Sequence, residues 1–113
     1  MTDRTNVLFV CSRNQWRSPT AERIYARHPG LAVRSGGTSR NAKRPVAEPD
    51  VRWADAIFVM EQKHRDRLAA SFPRAMQHRV VHVLDIPDEY RFMDPELIEL
   101  LEQAITPLLN DEP

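Results

Sequence analysis

The sequence has one cysteine, so no internal disulfide can form and no cysteine-rich metal site can be built. It has no long apolar run. The longest such stretches, residues 7–11 and 56–60, are strand-sized and far too short to cross a bilayer. It has no excess of either charge, because 16 basic side chains balance 16 acidic ones. That balance argues against a broad electrostatic footprint for nucleic acid, although a local basic patch can hide inside a neutral total. Residues 1–6 lack the charged-then-apolar layout of a signal peptide. The expectation is a cytoplasmic protein with no membrane and no nucleic-acid partner, in a reducing compartment that keeps a lone thiol usable.

What is present is ordinary globular sequence, 42% hydrophobic and 28% charged, of a length that suits one domain over residues 1–113. Strand and helix signals alternate along it. Residues 6–10, 31–34, 56–60 and 80–84 read as strands, the first apolar from Val7 on and the third apolar throughout. Residues 19–28 read as a helix, with Ser18 as N-cap, Pro19 at the first position and Pro29-Gly30 as its stop. A polar stretch follows at 35–47, then a helical turn near 50–54 and a helix over 61–71 halted by Pro73. Asp94 is placed to cap a last helix whose Leu97, Leu100, Leu101, Ala104 and Leu108 keep helical spacing. Fully apolar strands separated by helices predict an α/β fold, a parallel sheet covered on both faces. Ligands of such sheets sit beyond the carboxyl ends of the strands, where segments 11–18 and 85–90 both emerge.

The stretch VLFVCSRNQWRSPTAE, residues 7–22, carries the chemistry. Cys11 ends a buried strand, five residues intervene, and Arg17-Ser18 precedes a helix. A loop of this length can wrap its amide N–H groups around one tetrahedral oxyanion, and the helix N-terminus adds partial positive charge. Arg17 adds a planar fork of donors matched to two phosphate oxygens. The same positive field favours the nucleophilic thiolate of Cys11, to which Ser18 can donate its hydroxyl. Asn14 can pin the loop through its side-chain amide.

This segment resembles the anion loop of the low-molecular-weight protein tyrosine phosphatases. Cys11, Asn14, Arg17, Ser18, Pro19, Ala21 and Glu22 fall where that pattern expects them. Cysteine and arginine alone would be a weak signal; the strand before and the Arg-Ser-Pro helix start after make it strong. The likeness continues through Ser35-Gly36, through 50–61 and through the acidic loop before the last helix, nearly the whole chain. It implies a three-layer α/β/α domain on a four-stranded parallel sheet, a phosphocysteine intermediate, and neither metal nor cofactor. Inorganic phosphate is then product or inhibitor, and the partner is a phosphorylated protein or a small phosphate ester. Ser12, Arg13, Gln15 and Trp16 complete the substrate loop. The family's general acid is an aspartate shortly before the last helix. Asp88 fits the spacing better than Asp85, with Tyr90 two residues on as a candidate wall for the substrate ring.

Three departures stand out. Arg13 replaces the glycine usual two residues after the nucleophile, and Trp16 replaces a second loop cysteine. The segment after Ser35-Gly36 is shortened, which removes an aromatic wall that Trp53 is a candidate to replace, although core packing is its plainer role. Arg40, Lys43 and Arg44 in the bridging loop read as solvated cations before they read as a phosphate lure. His28, His64, His78 and His82 lack metal-ligand spacing and read as surface or structural groups. Met60, Met76 and Met93 read as core. The alternatives to a phosphatase are a phospho-ligand binding module with little turnover and an arsenate reductase. The latter needs redox-relay cysteines that a single thiol does not supply.

Overall fold

Successive side chains of a strand point to opposite faces of its sheet, and here both faces are apolar. In the computed structural model, which describes residues 4–110, β1 (Thr5–Cys11) sends Val7, Phe9 and Cys11 to one face and Leu8 and Val10 to the other. β3 (Ala56–Val59) repeats the division with Phe58 against Ile57 and Val59. With β2 (Leu31–Gly37) and β4 (Val80–Val83) they form a parallel sheet of order β2-β1-β3-β4. On one face Ala21 and Tyr25 of α1 (Arg17–Tyr25) pack with Leu97, Leu101 and Ile105 of α5 (Pro95–Asn110). On the other lie α2 (Glu48–Trp53), α3 (Gln62–Ser71) and α4 (Pro73–Met76), contributing Val51, Leu68 and Ala75. The three layers and the four parallel strands are those expected from the sequence.

Several boundaries differ from expectation, and two matter for the site. β2 runs on through Ser35, Gly36 and Gly37, so that Gly37 pairs with Cys11. Glycine is required there by close approach: a Cβ on Gly37 would lie 2.6 Å from both the Ser12 carbonyl oxygen and the Ala42 Cβ. α1 begins at Arg17, so Ser18 is inside the first turn and does not cap it; its hydroxyl is occupied by Cys11 and Asn14 instead. Trp16 holds the cap position without a side-chain bond, and the helix ends at Tyr25, short of His28. Pro73 halts α3 but also opens α4, a short helix not expected from the sequence, where proline suits the first turn. Asp94 does cap α5, accepting the Glu96 N–H at 2.9 Å. Met60 is fully buried and Met76 half-buried against the second layer, whereas Met93 sits at φ 61° outside both core clusters. Among the described residues no helix is long and apolar enough to cross a membrane.

Candidate active site

The loop after β1 is shaped by one left-handed residue. Asn14, at φ 55°, is buried, and its Nδ2 donates to Ser18 Oγ and to Ser35 Oγ, each at 2.9 Å. Ser35 Oγ in turn donates to Glu22 Oε1 at 2.6 Å. Asparagine tolerates this conformation better than other non-glycine residues. Arg13 is not among the positive-φ residues, so the arginine found where the resemblance leads one to expect glycine imposes no left-handed strain. Ser18 Oγ accepts from Asn14 and has two acceptors in reach of its own proton, Cys11 Sγ at 3.0 Å and the Gly36 carbonyl at 3.4 Å. The loop is also tied from outside: Thr38, Ser39 and Lys43 donate backbone N–H groups to the carbonyls of Cys11, Ser12 and Arg13. Yet none of the N–H groups of residues 12–16 donates to an acceptor among the described residues.

Arg17 is the largest fully buried side chain, 1% exposed. Its Nη1 makes both anchoring contacts, an ion pair with Glu61 Oε2 and a 2.8 Å bond to the Ile86 carbonyl. Its Nε is buried without a hydrogen-bond partner, and Asp88 Oδ1 stands 3.6 Å from it. Burial pushes the Glu61 carboxyl up, but the Arg17 hydrogen bond and charge outweigh it, so Glu61 titrates below the usual carboxylate range.

A cavity of about 230 Å³ opens over this loop, lined by Cys11, Arg13, Gln15, Trp16, Arg17 and Asp88. Asp88 and Asp85 are thus separated by position: Asp85, at φ 58°, lines a different groove beside Glu61 and Lys63. Ser12, Asn14 and Ser18 do not line the cavity; Asn14 and Ser18 hydrogen-bond within the loop, and Ser12 bonds to His64. Tyr90 does not line the cavity; it is half-buried and packs against the first core cluster. Trp53 does not replace the missing wall either. It packs against the second cluster with the Arg34 guanidinium 4.1 Å above its ring. Arg44 is held by Asp50 and the Ser35 carbonyl, while Arg40 and Lys43 remain exposed. Among the described residues there is no cluster of His, Cys, Asp and Glu able to hold a metal ion.

Two supporting residues escaped sequence reasoning in this role. Glu61 and His64 leave the carboxyl end of β3, beside the loop after β1. The Glu61 N–H donates to His64 Nδ1 at 3.0 Å, which leaves the proton on Nε2, and Nε2 donates to Ser12 Oγ at 2.9 Å. His64 is 1% exposed; burial first, then the Arg17 charge, push its pKa down to about 4. Their only sequence signal is a Glu-x-x-His spacing just after an apolar strand, which alone is too common to single out.

No family model matches the chain. Among solved structures, the tyrosine phosphatase Wzb from Escherichia coli K30 in complex with phosphate covers 100% of both chains at TM-score 0.77 and 24% identity. Vibrio vulnificus Wzb in complex with benzylphosphonate covers 95% of this chain and 98% of its own at TM-score 0.75 and 22% identity. A YwlE arginine phosphatase from Geobacillus stearothermophilus covers 96% and 95% at TM-score 0.68 and 21% identity. In sequence, the low-molecular-weight protein-tyrosine-phosphatase Wzb of Escherichia coli (strain K12) is 31% identical over 116 aligned positions, covering 76% of this chain and 78% of that one. With such identity over most of both sequences, the chain belongs to the low-molecular-weight protein-tyrosine-phosphatase family.

Proposed function

We propose that the chain hydrolyses phosphate monoesters, phosphotyrosine first among them, through a phosphocysteine on Cys11. The observation that carries this reading is a set of donors without acceptors around one sulfur: the N–H groups of residues 12–16 and the buried Arg17 Nε. Such a set suits an oxyanion with several equivalent oxygens, held more tightly as charge spreads over them in the transition state.

In the first step the Cys11 thiolate attacks phosphorus and the bond to the ester oxygen breaks. Asp88, protonated, gives its proton to that departing oxygen. In the second, the Asp88 carboxylate takes a proton from the attacking water, the sulfur–phosphorus bond breaks, and its electron pair returns to Cys11. Ser18, donating to Sγ, stabilises the thiolate as it leaves. Glu61 and His64 are positioning residues, the first for Arg17 and the second for Ser12. Trp16 and Arg13, at the cavity edge, meet the rest of the substrate. Neither metal nor cofactor takes part, and a reducing cytoplasm would keep Cys11 as a free thiol.

The test is turnover of para-nitrophenyl phosphate and a phosphotyrosine peptide in the presence of EDTA. Wild type should turn over both, Cys11→Ser neither. Phosphoarginine belongs in the same assay, since two of the structural neighbours are named arginine phosphatases; a preference for it would replace tyrosine as the substrate. Tight phosphate binding without turnover of any of the three would make the chain a binding module.

A further inference from the structure

Beside the catalytic cavity lies a second, open hollow of about 220 Å³, lined by Ser12, Thr38, Ser39, Lys63, His64 and Arg67. Ser12 follows the nucleophile in the chain, and Thr38 and Ser39 are bonded through their backbone N–H groups to the Cys11 and Ser12 carbonyls. The hollow therefore shares a wall with the anion loop.

Its lining consists of donors. The Ser12 hydroxyl accepts from His64 Nε2, so its proton is free to be given, and no acceptor for it is found among the described residues. Ser39 Oγ accepts the Asn41 N–H and its proton is likewise unassigned; the Thr38 hydroxyl makes no hydrogen bond there. Lys63 and Arg67 stand one helical turn apart on α3, an arrangement of like charges that isolated helices disfavour. Lys63 has only a 3.8 Å contact with Glu61, and Arg67 has no ion pair among the described residues. No carboxylate lines the hollow. One unpaired cation, Arg67, a second, Lys63, held only at long range by Glu61, and three hydroxyl donors facing one space form a site for an anion, in a chain whose charges otherwise balance.

We infer that this hollow binds a second anionic group of the substrate, a carboxylate or a second phosphate on a residue next to the phosphotyrosine. The inference rests on the phosphatase reading for the identity of the first group. It makes the enzyme selective for acidic or doubly phosphorylated segments, with Arg67 as the chief specificity-determining residue.

The experiment compares phosphotyrosine peptides carrying glutamate, phosphoserine or alanine at each of the two positions on either side. Turnover is measured with wild type, and binding by calorimetry with Cys11→Ser, each with and without Arg67→Glu or Arg67→Lys. At least one acidic or phosphoserine position should bind about three- to tenfold tighter than alanine, an advantage that shrinks in high salt. Arg67→Glu should abolish the preference and Arg67→Lys should keep most of it. Preference for phosphoserine alone would identify a second phosphate as the ligand; equal preference would identify any anion. Equal binding of all peptides, or a preference that survives Arg67→Glu, would overturn the inference. Para-nitrophenyl phosphate turnover with flat peptide preference would sink the hollow and spare the phosphatase, whereas a binding preference without any turnover would do the reverse.

Discussion

Arg17 brings a full charge to a position 1% exposed, and its surroundings divide its donors between support and use. Nη1 is spent on Glu61 and Ile86, which leaves the Nε edge for a ligand. Removing the partner of a buried charge is costly. Because Glu61 is 31% exposed, Glu61→Gln should lose about 1–3 kcal/mol in urea unfolding, below the range of fully buried pairs. Its kcat/KM on para-nitrophenyl phosphate should fall about ten- to a hundredfold, as Arg17 loses its fixed orientation. Asp88 stands at that edge, its Oδ1 3.6 Å from Nε, and Asp88→Asn should slow kcat by about 10²–10⁴ for esters with poor leaving groups. Esters whose leaving oxygen needs no proton should be much less affected. Equal losses for good and poor leaving groups would remove Asp88 from the role of general acid.

At the scale of elements, the site is made by three strands that deliver their following loops to one edge. α3 is tied to that edge by His64, whose ring must be neutral because Nδ1 accepts the Glu61 N–H. The unfolded chain takes up this proton near pH 6.5, the folded one only near about 4. The corresponding stability is therefore complete above about pH 6.5 and is lost as the pH falls toward 4. At about 1.4 kcal/mol per unit this amounts to about 3 kcal/mol across the window. Urea midpoints measured between pH 7.5 and 5 should fall steeply for wild type and much less for His64→Asn. β2 offers a second check: Gly37→Ala drives a Cβ against the Ser12 carbonyl and should cost about 2 kcal/mol, with loss of activity. Gly30→Ala, whose Cβ meets nothing nearer than 3.8 Å, should be nearly neutral.

These elements were unequally legible in the sequence. β1 and β3 announce themselves because burial on both faces leaves unbroken apolar runs, and α5 because its leucines recur at helical spacing. The end of β2 was hidden, since Ser35, Gly36 and Gly37 are selected for close approach and hydrogen bonding and look like a loop. The anion loop was readable because its parts are contiguous from Cys11 to Ser18. Glu61 and His64 were not, because what gives them meaning is the pairing of β3 with β1, a long-range fact.

For the whole molecule, a zero net charge conceals an uneven distribution. Exposed Arg13, Arg40, Lys43, Lys63 and Arg67 lie on the anion loop, on the segment bonded to it and on α3, while exposed Glu96, Glu99 and Glu102 lie on α5. An anionic ligand that fills the donor set should stabilise the fold as a unit. Inorganic phosphate at about a hundred times its Kd should add about 2.7 kcal/mol, a rise of about 10–20 °C in Tm. An unchanged Tm would mean that the loop does not bind the anion.

The central claim is that the phosphoryl group passes through Cys11. The most direct measurement is the mass of the Cys11-containing peptide from wild type quenched during turnover of para-nitrophenyl phosphate under alkaline denaturing conditions. The account predicts a transient phosphoryl adduct on Cys11 that disappears as substrate is exhausted, and no turnover by Cys11→Ser. Sustained hydrolysis with Cys11 unmodified at every time, or by Cys11→Ser, would contradict it.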